Sequence, residues 1–333
     1  MPVKTNTTAI KPLSNSTTTP NGSTSGATRG QLDAVLDRLD GVLLGKRSAI
    51  ELAVTCLLAK GHLLIEDLPG MGKTLLSHAL AHVLGLDYQR IQFTSDVLPA
   101  DIIGVSVFDK NSSEFRFVEG PVFAQLVLAD EINRATPKSQ SALLEAMEER
   151  QVTVDGVRRS LPKPFFVIAT QNPATQVGTF ALPESQLDRF LMRIELGYPD
   201  PVAERQLLQG GDRRVLLDEL QQALSADELA NLQESAAAIV VSDSLVEYVQ
   251  RLVHFTRTDP KFAAGLSPRG ALALISAARA WAFVRNRSHV VPEDVQAVLP
   301  SVVEHRLRGA ADYAGHGGAA LSQRLLASVD VVA

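Results

Sequence analysis

The chain has 333 residues, 45% of them apolar and 21% charged, with a formal net charge of -5. That balance belongs to a globular protein, and the length suits about two domains. The acidic surplus argues against a dedicated nucleic-acid binder, since neutralising phosphates takes a basic surface. The single cysteine, Cys56, excludes an intramolecular disulfide or a thiolate metal cluster.

Residues 1–29 are dominated by Thr, Ser, Asn and Gly. Too little there is apolar to offset the entropy of ordering, which predicts a disordered tail. No secretory pattern opens the chain and no run of 18 apolar residues follows, so the expectation is a cytoplasmic protein without membrane insertion. From Gln31 onwards Leu32, Val35, Leu36 and Leu39 fall at helical spacing, and residues 50–60 repeat the theme. Cys56 lies in that second apolar stretch and reads as packing.

Short continuous apolar runs come next, at residues 62–67, 88–93, 125–129, 165–170 and 190–196. Such runs suit strands covered on both faces. Helical patterns at 74–84, 138–150 and 184–189 separate several of them. The alternation predicts an α/β fold with an open, mainly parallel sheet over residues 30–200. Two stretches interrupt it with period-2 runs. Residues 105–118 turn around Lys110 to Ser113, and residues 152–161 turn at Asp155-Gly156, a strong hairpin signal. Beyond Pro201 the periodicity is helical at 203–208, 226–237, 244–256, 268–285 and 292–307, so residues 201–333 are expected to form an all-helical domain.

Chemistry concentrates at two places. Asp67-Leu-Pro-Gly-Met-Gly-Lys-Thr74 follows a predicted strand and opens a helix. Glycines let backbone N–H groups approach phosphate oxygens at a helix N-terminus. Pro69, Gly70, Met71, Gly72, Lys73, Thr74 and Leu75 are thus the expected ATP-binding segment, with Lys73 on the β/γ-phosphates and the Thr74 hydroxyl on Mg²⁺. The strict pattern begins with glycine where this chain has Asp67. Then Leu126-Val-Leu-Ala-Asp130-Glu131 is an apolar strand ending in two carboxylates. Asp130 would hold the Mg²⁺ hydration shell, and Glu131 would deprotonate the attacking water. Either motif alone has a blander reading, a glycine-rich turn or a solvated acidic pair; their order in one α/β frame argues for both together. Asn172, after a strand, can position water. Arg189 before a strand and Arg269 at a helix start would be surface salt-bridge partners if read alone.

These segments resemble the MoxR family of AAA+ ATPases, related to magnesium-chelatase ATPase subunits and MCM helicases. The resemblance rests on the phosphate loop, Asp130-Glu-Ile-Asn-Arg-Ala135, Ala142-Leu-Leu-Glu-Ala-Met-Glu-Glu-Arg150, Ala169-Thr-Gln-Asn-Pro173, Leu182-Pro-Glu-Ser-Gln-Leu-Asp-Arg-Phe190 and Ser267-Pro-Arg269. It covers about residues 31–310. It implies an AAA+ P-loop core with hairpin insertions and a C-terminal helical lid. By the same resemblance Asn172 is sensor 1, Arg269 is sensor 2, and Arg189 is an arginine finger offered to a neighbouring subunit. The residues 42–45 would lie beside the adenine. A ring, usually a hexamer, is implied, and so is a protein partner with a von Willebrand factor A domain, remodelled or matured by a chaperone-like activity. The alternative is a nucleic-acid-dependent motor like the MCM proteins, which the acidic balance and the lack of aromatic-basic interleaving disfavour. A small-molecule kinase fits less well, having no use for a finger.

Other constellations carry less. His78 and His82 share a helix face, but the zinc-protease pattern needs Glu where Ala79 stands. No nucleophile elbow occurs. Arg158-Arg159 reads as a solvated hairpin pair.

Overall fold

The computed structural model describes residues 22–172, 180–210, 217, 219–310 and 318–331. Among them, five parallel strands form the central sheet in the order β2-β5-β8-β1-β9. These are β1 (Leu63–Glu66), β2 (Tyr88–Gln92), β5 (Leu126–Asp130), β8 (Phe166–Gln171) and β9 (Met192–Ile194). Each lies within a run expected from its continuous apolar sequence or overlaps it closely. The reason is visible in the packing. Leu63, Ile65, Leu126, Leu128, Phe166 and Ile168 join one apolar cluster, while Leu64, Val127, Ala129, Val167 and Ala169 join another. Alternate residues feed opposite faces, and both faces are covered, so every position must be apolar. The edge strand β2 is different: only Ile91 is buried, and Gln89, Arg90 and Gln92 are exposed.

The first cluster is continuous from α1 (Gly22–Val42) and α2 (Arg47–Leu58), through α3 (Lys73–Val83), into the C-terminal helices. Cys56 is buried in it and donates its S–H to the His62 carbonyl (3.4 Å), while burial pushes the thiol pKa up. Leu32, Val35, Leu36 and Leu39 all face this core. The helix itself begins at Gly22, so residues 22–29, expected in the tail, are helical. Adding turns to a helix already nucleated by a packed apolar face costs little per residue, even where propensity is low. Arg29 ties this turn down, donating to the Asp33 carboxylate (2.8 Å) and the Val284 carbonyl (3.4 Å). Residues 1–21 of the expected tail lie outside the described residues.

The second cluster holds α4 (Pro99–Ile103) and α5 (Pro137–Glu149) against the other face. Both expected hairpins are present: β3 (Gly104–Asp109) with β4 (Glu114–Glu119), and β6 (Gln151–Val154) with β7 (Val157–Ser160). Asp155 and Gly156 take φ of 53° and 77°, the left-handed pair that a two-residue turn requires. The hairpins touch. Arg159 lies over the Phe117 ring at 3.9 Å, so one of the two hairpin arginines expected to be solvated stacks on an aromatic ring. The first hairpin leaves Val105, Val107, Phe108, Phe115 and Val118 exposed.

The short helix α6 (Glu184–Leu187) precedes β9, and beyond β9 come α7 (Pro201–Gln209), α8 (Ala226–Ala237), α9 (Asp243–Thr258), α10 (Pro268–Val284), α11 (Pro292–Val303) and α12 (Gly318–Ser328). Start signals in the sequence act as caps. Ser225 and Glu228 form a capping box, Ser242 accepts from Leu245 N–H, Ser267 accepts from Gly270 N–H, and Asp200 accepts from Val202 and Ala203 N–H. The domain expected as all-helical also carries a short antiparallel pair, β10 (Phe262–Ala264) with β11 (Arg308–Gly309). Strands of two or three residues are too short for a period to show.

Candidate nucleotide site

The phosphate loop leaves the C-terminal end of β1 and enters α3. Gly70 and Gly72 adopt φ of 86° and 95°, a region that penalises any side chain. A Cβ on Gly70 would meet nothing within 4 Å, so the space beside this glycine is open. The first N–H groups of α3 have no partner within the helix and form the positive end of its dipole. Oxygen-rich, anionic phosphate fits that cradle.

Lys73 is buried, and its ammonium donates to the Asp67 carbonyl (2.5 Å) and to Asn172 Oδ1 (3.3 Å). Burial pushes its pKa below the ordinary value, while Asp67, Asp130, Glu131 and Glu66 pull it back. Asp67, the departure from the strict pattern, has a structural task. Its Oδ2 accepts from Leu196 and Gly197 N–H (2.7 Å each), and Oδ1 accepts from Leu68 N–H (2.7 Å). The side chain stitches the loop to the segment leaving β9. Lys46 closes the same corner by donating to the Leu196 (3.0 Å) and Gly197 (2.5 Å) carbonyls. Gly45, in the segment expected beside the adenine, has φ 68°, and a Cβ there would stand 2.8 Å from that of Ala203. Leu43 borders the loop, 4.0 Å from a Cβ built on Gly72.

Asp130 ends β5 beside the loop, and Glu131 follows it. Asp130 is buried; Oδ1 accepts from the Thr170 hydroxyl (2.6 Å), and Oδ2 accepts from Arg90 Nη2 (2.7 Å) and Nε (3.1 Å). The Thr170 hydroxyl in turn accepts from Glu131 N–H (2.8 Å). Glu131 has φ 57°, a strained conformation for a non-glycine residue. Its carboxylate accepts from Asn172 Nδ2 (3.0 Å) and Gln92 Nε2 (3.1 Å) and pairs with Arg134 (3.0 Å). Asn172 therefore bridges Lys73 and Glu131. Sequence reasoning missed Thr170, Arg90 and Gln92. The last two stand two apart on an edge strand, a spacing that puts both on one face, but nothing in their own segment says which strand is the neighbour.

Arg189 and Arg269 are not at this site. Leu191 N–H bonds the His62 carbonyl, just before β1 begins, and Leu63 pairs with Met192. Arg189 thus sits at the N-terminal end of β1, while the loop leaves its C-terminal end. Four residues of strand, on the order of 13 Å, separate the two. Arg269, in the first turn of α10, lies beside Arg189: both pair with Glu148, Arg189 Nε at 3.0 Å. Arg306, side chain almost wholly buried, holds this corner. It donates to Asp188 Oδ1 (2.7 Å) and to the carbonyls of Asp188, Phe190 and Leu191 around Arg189. Glu148 lies in the segment 142–150 that carries the family resemblance, but nothing there assigns it a role, and Arg306 carries no sequence signal beyond its charge.

A phosphate loop and a carboxylate-ended strand, joined through one asparagine in an α/β core that is followed by a helical domain, make an ATP-hydrolysing P-loop enzyme of the AAA class. Known proteins agree. Residues 62–192 match the model for the ATPase family associated with various cellular activities (AAA), and residues 254–324 match the AAA lid domain. The chain is 43% identical over 285 residues to Chaperone MoxR1 of Mycobacterium tuberculosis, covering 83% of this chain and 75% of that one. It is 42% identical over 302 residues to the uncharacterized protein YeaC of Bacillus subtilis, covering 90% and 94%. The crystal structure of a protein from Cytophaga hutchinsonii assigned as an ATPase superposes with a TM-score of 0.83 at 35% identity, covering 92% of this chain and 97% of that one. The chain belongs to the MoxR family of AAA ATPases. Among the described residues no helix is long and apolar enough to cross a membrane.

Proposed function

We propose that this ATPase works as a ring, a hexamer by resemblance, in which each subunit's Arg189 and Arg269 complete the neighbour's ATP site. The observation carrying this reading is their location: both arginines gather at the end of the sheet opposite Lys73, where they cannot serve their own chain. Within one subunit, Pro69, Gly70, Met71, Gly72, Lys73, Thr74 and Leu75 bind the phosphates. Thr74, whose residue is exposed, and Asp130 offer hard oxygen ligands suited to Mg²⁺. The metal, when bound with ATP, offsets phosphate charge. Glu131 takes the proton of the attacking water, and Asn172 orients that water while holding Lys73. Arg189 and Arg269 stabilise charge developing on the γ-phosphate across the interface. Hydrolysis then depends on assembly.

The work done is remodelling or maturation of a protein partner in the cytoplasm, with a von Willebrand factor A domain protein as the expected class. The relative named Chaperone MoxR1 supports a protein client. So do the net charge of -5 and the exposed Phe108 and Phe115, which suit polypeptide better than a phosphodiester backbone. The test is complementation. Arg189→Ala should bind ATP and lose hydrolysis by a factor of about 10³–10⁵. Mixed with Glu131→Gln it should regain turnover, because mixed rings contain interfaces with an intact base and an intact finger. Absence of any regain, with mixed rings demonstrated, refutes action in trans.

A further inference from the structure

Arg189 belongs to the core and Arg269 to the lid, yet both end on one carboxylate. Glu148, in the last turn of α5, faces Arg189 with Oε2 (3.0 Å) and Arg269 with Oε1. One oxygen per arginine is also what a phosphoryl group would present to them. The cleft around the pair measures about 370 Å³, and Lys60, Arg150 and Arg306 also line it. Lys60 and Arg306 are already paired, with Glu234 and Asp188, which leaves Arg150, Arg189 and Arg269 around the single carboxylate of Glu148, so the cleft favours a further anion. Asp188 is committed elsewhere, to Arg306 at 2.7 Å, and stands 4.0 Å from Arg269. Glu148 is therefore the counter-charge that the two arginines share.

That contact is exchangeable. The side chains of Glu148, Arg189 and Arg269 are 34%, 28% and 49% exposed. Ion pairs so open to water are worth only a factor of about 1.4 to 5 each in an equilibrium. We propose that Glu148 is an internal stand-in for the γ-phosphate of the adjoining subunit. It holds Arg189 and Arg269 in register in the free chain and yields them when that phosphate arrives. The inference rests on the reading that both arginines act in trans, and it makes Glu148 a positioning residue that competes with assembly.

The experiment measures the protein concentration giving half-maximal assembly, by sedimentation, with Mg-ATP and separately with Mg-ADP. Glu148→Gln and Glu148→Ala should each lower the ATP midpoint by about three- to tenfold, because the competitor is gone. The ADP midpoint should stay where it is, since ADP has no γ-phosphate to take the vacated place. In an Arg189→Ala, Arg269→Ala background the shift should vanish. An ATP midpoint that is unchanged or raised in either variant overturns the proposal, as does an equal fall with ADP, which would indicate general surface repulsion. Wild-type protein whose hydrolysis per subunit stays constant on dilution to monomers would instead overturn the trans reading itself.

Discussion

Replacing Asp67 by glycine would give the phosphate loop its strict pattern, and the structure predicts a less stable protein with weaker ATP binding. The carboxylate accepts two backbone N–H bonds from Leu196 and Gly197 at 2.7 Å and a third from Leu68. A hydrogen bond to a charged group contributes about 1.5–3 kcal/mol. Asp67 is only half-buried, and water can reach the corner. The loss is therefore about 2–4 kcal/mol for the pair that spans from loop to β9. Unfolding entropy of about 2.1 cal/mol/K per residue over 333 residues converts this into a fall in Tm of about 3–6 °C. Lys46 keeps its two carbonyl partners but loses a counter-charge, which adds to the loss. Thermal and urea unfolding of the nucleotide-free protein provide the assay, with ATP affinity by calorimetry beside them. Asp67→Asn, which retains an acceptor without charge, should lose about half as much. An Asp67→Gly protein within 0.5 kcal/mol of wild type would refute the argument and make the aspartate incidental.

Lys73→Ala should abolish ATP binding, and Glu131→Gln should bind ATP yet hydrolyse it at least about 10²-fold more slowly; near-normal turnover in the second would remove Glu131 as the base. Acid should expose His62. Its Nδ1 accepts from Val167 N–H (3.0 Å), its Nε2 faces the Met147 carbonyl (3.3 Å), and burial pushes its pKa down to about 4. The unfolded chain, with an ordinary value near 6.5, takes up the proton first, so this contribution to stability is intact above pH 6.5 and is lost as pH falls towards 4. Between pH 7 and 4.5 the loss is about 2 kcal/mol, and His62→Gln, which can keep both partners, should lose that much less in urea titrations at the two pH values. Parallel losses in the two proteins would contradict it.

Strand and helix identity were legible because local pattern and tertiary role coincide. A run such as Leu126 to Ala129 is apolar at every position only because helices cover both faces of the sheet, and Asp155-Gly156 fixes its turn by backbone geometry that neighbours do not alter. That the phosphate loop and the pair Asp130 and Glu131 come together was legible for a related reason: each follows the C-terminal end of a strand in one parallel sheet, so the order of motifs already puts them at the same edge. Helix 22–29 escaped notice, because a polar, glycine-containing turn is helical here only by extension of a packed segment.

Charge networks were decided by the fold alone. Nothing around Arg90 in sequence reveals that β2 lies against β5, which is what brings its guanidinium to Asp130. Glu148, Arg189, Arg269 and Arg306 come from four separate segments, and only strand order and the docking of α10 and α11 bring them to one corner. The departure at Asp67 likewise has its reason far away in the chain, in the Leu196 and Gly197 N–H groups that its carboxylate accepts from. Sequence periodicity reports which face of an element is buried, a local property. Which charges meet depends on how elements far apart in the chain are packed, and that arises only when the core has formed.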